Sequence, residues 1–347
     1  MLCRAAGRAL VPARWTALST LRCTDEHEAL VEALQHELAS DLLPPADSHD
    51  WPDLLLRRWF TAGGAITVRA LAETPWCAAT RRLVADLGSE WPVAELEPMP
   101  QVGAHSTLLE AMRHDDAPTL AAVAENIAEG DAVALRLGID DTVIEELLSE
   151  GERAWDAMRP GELRAEDGTI VSGQSPSGAA RGDKFVFAST LLAPEAGGPQ
   201  AWPALASVDD ALGRVGAALS SHFEPLGLPP LSPRASSLLA CFPGDGVGYG
   251  SHLDGGEDEG ASLTAIFYTA RAWRPEHGGR LHMLDEARHC WWALPPRADT
   301  LVLFRSDRVL HKVEPAFAPR FALTKFFVRR ISVADERDAL ISNLSGL

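Results

Sequence analysis

The sequence predicts an α+β protein with a jelly-roll core, flanking helices and a mostly helical N-terminal region ahead of them. Three observations carry this expectation. Short strand candidates follow one another at 235–242, 248–254, 262–268, 280–284, 291–294, 300–304, 311–314 and 320–328, divided by Gly, Pro and Asp. Upstream, 140–158 (with Ile144, Leu147 and Leu148 on one face) and 207–226 read as helices. Further upstream, Leu30, Leu34, Leu38 and Leu42 recur at helical spacing behind Thr24, Glu26 and Glu28, until Pro44 and Pro45 stop the pattern.

The elements divide the chain into four stretches. Residues 1–24 hold Arg4, Arg8, Arg14 and Arg22 and no acid, which suits either an organellar transit peptide or a disordered basic tail. Residues 25–127 form a mostly helical region of unknown role, with a second helix expected over 116–127. His27, His36, His49, His105 and His114 show no metal-ligand spacing there and read as surface or structural. Residues 128–331 form the chemistry-bearing domain: a strand at 133–137, the helix 140–158, a polar Gly/Ser-rich stretch at 161–180 expected to be a mobile loop, a strand entered by Arg181-Gly-Asp-Lys184, the helix 207–226, and the strand run. Residues 332–347 are a C-terminal tail.

Bulk properties exclude some classes. A net charge of −18 argues against non-specific nucleic-acid binding, which needs a basic surface. No stretch reaches the roughly 18–20 apolar residues of a membrane helix. The five cysteines are scattered without a Cys-x-x-Cys pair, so a reducing compartment is expected. A cytoplasmic or nuclear location follows, with a mitochondrion or plastid as the alternative if the basic N-terminus is a transit peptide.

The chemistry gathers in the strand run. In a strand, His252 and Asp254 would point to one face, where an imidazole and a carboxylate can meet one ion. His311 opens another expected strand, one that could lie opposite in a barrel. Two histidines and one carboxylate on one face of an octahedron leave three positions for a bidentate co-substrate and O2, the ligand set of non-haem iron(II) oxygenases. Arg320 begins a strand whose one face carries Phe321, Leu323, Lys325 and Phe327, and whose other carries Arg320, Ala322, Thr324 and Phe326. A buried guanidinium needs an anion, which a dicarboxylate co-substrate or an ordinary salt bridge would supply. Tyr268 ends the strand 262–268, with Thr264 and Ile266 on its face, and its phenol could reach the same carboxylate. His277, His282 and His289 beside Cys290 read as structural or surface residues rather than a rival metal site.

Residues 239–330 resemble the prolyl 4-hydroxylases that act on hypoxia-inducible factor, and their bacterial relatives. The matching text is Leu239-Ala-Cys-Phe-Pro-Gly-Asp-Gly-Val-Gly-Tyr249, His252-Leu-Asp254, Gly278-Gly-Arg-Leu281, Phe304-Arg-Ser-Asp-Arg308, His311, Val313-Glu-Pro-Ala316 and Arg320-Phe-Ala-Leu-Thr324, with Arg181-Gly-Asp-Lys184 upstream. The resemblance implies a double-stranded β-helix (jelly-roll) core with Fe(II) held by His252, Asp254 and His311. It further implies 2-oxoglutarate held by Arg320 and Tyr268, with Thr324 and Phe242 completing its pocket. O2 would be the second co-substrate and ascorbate a reductant. A proline-containing protein or peptide would be hydroxylated, giving succinate and CO2. Arg181 and Asp183 would stand on the substrate side; otherwise they form a solvated turn. Phe242 departs from the tyrosine usual in the family. Two other readings stay open: the same centre oxidising another residue or a small molecule, and a non-catalytic jelly-roll module with a relic metal site.

Overall fold

The computed structural model describes residues 92–129, 132–164, 170–174, 180–228, 230–233, 236–254, 261–285, 290–306 and 308–329. The helix expected over 25–43 and the two tails lie outside them. The chain divides into two compact units, 1–92 with 285–290 and 93–284 with 291–347.

Among the described residues, the longer helices of the second unit are α1 (Leu108–Arg113), α2 (Ala117–Ala128), α3 (Asp141–Arg153) and α4 (Pro203–Phe223). The strands are β1 (Val93–Glu95), β2 (Val133–Arg136), β3 (Arg159–Pro160), β4 (Glu162–Arg164), β5 (Ile170–Gln174), β6 (Ala180–Arg181), β7 (Lys184–Phe187) and β8 (Leu231–Pro233). They continue with β9 (Leu238–Phe242), β10 (Tyr249–His252), β11 (Ala261–Tyr268), β12 (Leu281–Asp285), β13 (Cys290–Leu294), β14 (Thr300–Phe304), β15 (His311–Val313) and β16 (Arg320–Arg329). One sheet runs β1-β13-β12-β15-β10-β6-β5-β4, and the second runs β2-β14-β11-β16-β9-β7-β3 with β8 added on β16. Neighbours in space are mostly not neighbours in sequence, as a jelly roll requires.

Strand alternation explains the layering. On β11, Leu263, Ala265 and Phe267 face one way, and on β16 so do Phe321, Leu323 and Phe327; all six pack into one core with Leu205, Val208, Leu212, Val215 and Leu219 of α4. Leaving water stabilises each of these phenylalanines by about 1.5–3 kcal/mol. The alternate residues Ile266, Tyr268 and Ala322 turn to the other side, where they meet Phe242, Leu281, Met283, Phe304 and Val313 in a second core spanning both sheets. Lys325 interrupts the helix-facing row. Its ammonium donates to Asp209 on α4 at 2.7 Å, so the buried charge is paired.

Two expectations need correction here. The stretch 161–180 is not simply a loop: β4 and β5 pair antiparallel with Glu162 opposite Ser172 and Arg164 opposite Ile170, and β5 passes the sheet on to β6. Strand pairing is made by backbone groups, so a Gly/Ser-rich composition does not preclude it; Leu163, Ile170 and Val171 were the strand signal in that text. The helix from Asp140 stops at Arg153 and is followed by a short 3-10 turn at Trp155–Ala157.

Candidate active site

The three candidate metal ligands are assembled by two adjacent strands. β10 and β15 pair antiparallel, with His252 directly opposite His311. His311 is therefore a cross-strand neighbour of His252 in one sheet, not a residue across the barrel. Asp254 lies beyond the end of β10, which closes at His252, so strand alternation does not place it. The chain bends there and carries the carboxylate back between the rings. Its Oδ1 lies 3.4 Å from His252 Nε2 and its Oδ2 lies 3.5 Å from His311 Nε2.

Hydrogen bonds aim each ligand. His252 Nδ1 lies 2.9 Å from the Gly250 carbonyl, and His311 Nδ1 lies 3.0 Å from the Val309 carbonyl. A carbonyl only accepts, so both rings donate through Nδ1, and each neutral ring keeps the Nε2 lone pair for an ion. Asp254 Oδ2 accepts from Thr264 Oγ1 at 2.9 Å. Thr264 thereby spends its one proton, so the 2.8 Å contact with Ser306 is a bond donated by Ser306. The result is a buried relay, Ser306 to Thr264 to Asp254. Ring packing adds rigidity: Tyr249 lies over His252 with centroids 3.7 Å apart and planes 18° apart, and Phe304 lies 4.8 Å from His311.

The electrostatics suit a cation. Burial and then the nearby His311 lower the pKa of His252, which keeps it a neutral donor. Burial opposes charge on Asp254 and on His311. For Asp254 it is outweighed by the two imidazoles, which hold the carboxyl far below its usual range. For His311 it is outweighed by the carboxylate, which raises the pKa. Two Nε2 lone pairs facing two carboxylate oxygens are like poles until a proton or a metal stands between them. One ligand atom from each residue falls within 4.8 Å of the others, a separation one ion can bridge.

Arg320 lies on the second sheet and faces the same inter-sheet core. It is 5% exposed. Its Nη2 donates to the Tyr268 hydroxyl at 3.1 Å, and its guanidinium carbon stands 4.9 Å from the Tyr268 ring and 5.1 Å from the Phe242 ring. Nε is buried with no partner, and among the described residues no carboxylate comes within ion-pair distance of Arg320. A buried guanidinium in this condition is strongly unfavourable unless a ligand completes it, and a carboxylate fits its fork. Among the described residues the ordinary salt bridge considered for Arg320 is thus not made. Thr324 stands opposite Ile266 and Leu238, half-buried, two residues along its strand from Ala322. Gly279 (φ +72°) packs directly on this arginine: a Cβ there would lie 2.9 Å from Arg320 Cδ.

Arg181 and Asp183 form a two-pronged pair, with Nε donating to Oδ1 at 2.8 Å and Nη2 to Oδ2 at 3.3 Å. Asp183 is 5% exposed, which overturns the solvated-turn reading. β6 pairs with β10 at Tyr249 opposite Arg181, and the guanidinium lies 4.8 Å from the Tyr249 ring. Arg181, Tyr249 and His252 therefore stack in succession toward the ligand set. Gly161 leaves the space: a Cβ there would come within 2.4 Å of both Arg181 Nε and Asp183 Oδ1. Of the alternative histidines, His282 pairs with Glu314 at 3.0 Å and His277 contacts Arg274, so neither joins Cys290 in a ligand set; His289 lies outside the described residues.

Sequence reasoning missed the roles of Tyr249, Ser306 and Gly279. Tyr249 closes the Leu239–Tyr249 stretch that carries the resemblance, but nothing in that text places its ring over His252. Nothing in the local text of Ser306 or Gly279 predicts contact with Thr264 or Arg320, because both contacts cross between strands far apart in sequence.

Comparison with known proteins agrees with this geometry. Residues 237–328 match the model of the 2OG-Fe(II) oxygenase superfamily. The sequence is 32% identical to Egl nine homolog 1 from Homo sapiens over 174 residues, 49% of this chain and 38% of that protein. It is 35% identical to prolyl hydroxylase EGLN3 from Homo sapiens over 96 residues, 27% of this chain and 40% of that protein. The chain thus spans less than half the length of these curated relatives. A solved prolyl hydroxylase, in complex with a hypoxia inducible factor oxygen degradation domain peptide fragment from Trichoplax adhaerens, is similar in fold, with TM-score 0.50 and 22% identity over 65% of this chain and 96% of that one. The matched segment and the donor set resemble those of the 2OG-Fe(II) oxygenases, and the fold around them is similar to that of the solved prolyl hydroxylase.

Proposed function

We propose that the chain is an Fe(II)- and 2-oxoglutarate-dependent prolyl 4-hydroxylase of a protein substrate. The observation that carries this reading is a buried arginine with no anionic partner among the described residues, facing the same inter-sheet space as two histidines and an aspartate poised for one ion. His252, Asp254 and His311 would hold iron, and the set leaves positions open for a chelating co-substrate. Arg320 and the Tyr268 hydroxyl would hold the distal carboxylate of 2-oxoglutarate, with Phe242 and Thr324 lining its path. When bound, iron with 2-oxoglutarate and O2 supplies the oxidising power to hydroxylate an unactivated C–H, releasing succinate and CO2. The protein's own part is to keep Asp254 ionised, present both Nε2 lone pairs, and line the space with Phe304, Ile266 and Val313 so that water is excluded. The Arg181–Asp183 pair and Tyr249 form the wall beside the ligand set, and the proline-containing substrate would approach along it. Support for protein rather than small-molecule substrates comes from the prolyl hydroxylase relatives. Ascorbate is expected to sustain turnover as a reductant.

The test is anaerobic titration of the full chain with Fe(II) and then 2-oxoglutarate. Chelation should produce a weak visible charge-transfer band that disappears on admitting air, with succinate formed. Proline-containing peptides should then raise succinate yield and gain one oxygen atom by mass. Iron binding without the band, or without any 2-oxoglutarate dependence, would sink the dioxygenase reading. A band and uncoupled turnover, with no proline peptide oxidised, would sink only the substrate assignment.

A further inference from the structure

We propose that His105, Glu110 and His114 form a second divalent transition-metal site, built on the helical side of the molecule from elements that take no part in the His252 centre. Among the described residues, theirs is the other group whose imidazole nitrogens and carboxylate oxygen come within 4.8 Å of one another. Glu110 and His114 are four residues apart along α1 and its C-cap, so one helical face presents both. His105 is folded back over that face by a tight turn, in which Val102 and His105 exchange backbone hydrogen bonds of 2.8 and 3.1 Å with Gly103 at φ +64°. The two imidazole centroids end 5.2 Å apart. Those histidines have no metal-ligand spacing in the linear sequence; they gain it only because this turn returns the chain.

The surroundings hold the ligands in place. Ser106 donates to Glu110 Oε2 through its backbone N–H at 2.9 Å and its hydroxyl at 2.8 Å. One oxygen of Asp116, at the N-cap of α2, lies 3.2 Å from His105 Nε2 and also accepts from the Thr119 hydroxyl at 2.7 Å. A carboxylate bonded to one imidazole nitrogen fixes the ring and leaves the other nitrogen as the donor, a recurrent support for metal-bound histidine. Imidazole nitrogens with one carboxylate suit zinc, copper or nickel, whereas calcium and magnesium prefer all-oxygen shells. Three protein ligands leave a fourth tetrahedral position for water. His105 and Glu110 are partly exposed and His114 is exposed, so an ion reaches them from solvent. A bound ion would tie the 102–105 turn to α1 and, through Asp116, to α2.

The experiment titrates metal-free full chain with Zn2+ against a chromophoric chelator. It compares the wild type with His105→Ala/His114→Ala and with His252→Ala/His311→Ala. Each double variant should hold one zinc equivalent fewer than the wild type. Asp116→Asn should keep the stoichiometry while weakening the second site about 10-fold or more. Equal zinc stoichiometry and affinity in the wild type and His105→Ala/His114→Ala would overturn the proposal. Should that variant fail to fold, Glu110→Gln takes its place, and unchanged zinc binding in it would overturn the site equally.

Discussion

At Arg320 a single side chain carries the co-substrate assignment. Its charge is buried beside Tyr268 and Phe242 with Nε unpartnered, so a ligand carboxylate would supply a fully desolvated ion pair. Breaking such a pair costs about 2–5 kcal/mol, roughly 30-fold or more in affinity. Arg320→Ala should therefore raise the 2-oxoglutarate concentration for half-maximal succinate formation by at least that factor, with Fe(II) binding unchanged; an unchanged co-substrate requirement would remove Arg320 from this role. Thr264 acts one bond further out. Thr264→Val keeps the shape and deletes the donor to Asp254 Oδ2, so metal affinity should fall by about 10–100-fold while the fold is retained. Metal competition assays read this directly, and wild-type affinity would show that Ser306 and Thr264 are only packing.

Between elements, the pairing of β12 with β15 keeps His311 in register, with Met283 opposite it. Glu314, just past β15, ties this edge down. It accepts from the Arg280 backbone at 3.1 Å and contacts His282 Nε2 at 3.0 Å. Burial raises the Glu314 pKa, but the His282 and Arg280 contacts outweigh burial and leave it below its ordinary value. A carboxyl with a depressed folded-state pKa adds stability above its unfolded value. That stability fades as pH falls through the folded value. Glu314→Gln should accordingly be about 1–2 kcal/mol less stable than wild type near neutrality, with the difference shrinking as pH falls from about 4.5 through the lower folded value, below which the Glu314 carboxyl is protonated in both states. Denaturant unfolding at pH 7 and in mild acid measures it, and a pH-independent difference would assign the effect to packing instead.

For the molecule as a whole, the site lies between two sheets that share one core, so filling it should stabilise the entire jelly roll. At about 100 times its dissociation constant a ligand specific for the native state adds about 2.7 kcal/mol. For a domain of this size that is a rise of about 5–10 °C in Tm. Mn(II) with 2-oxoglutarate, under anaerobic conditions, should produce such a shift. Chelator treatment should reverse it, and Arg320→Ala should abolish the part due to 2-oxoglutarate. A shift confined to metal alone in the wild type would show that the pocket around Arg320 does not close on the co-substrate.

Much of this architecture is legible in the linear text. The strand run, the helix faces and the alternation of β11 and β16 are local patterns, and period-two alternation by itself puts Arg320 and Thr324 on one side of their strand and Tyr268, Thr264 and Ile266 on one side of theirs. The types of the metal ligands are equally plain in His252, Asp254 and His311. Their geometry is not. Asp254 reaches the rings because the chain bends after β10, and His311 meets His252 through strand pairing across 58 intervening residues. The hairpin hidden in a Gly/Ser-rich stretch, the burial of the Arg181–Asp183 pair, and the return of His105 over α1 belong to the same class. Each depends on backbone pairing or on a turn that joins distant segments, and a one-dimensional pattern records which side chains a strand or helix displays but not which other segment comes to meet them.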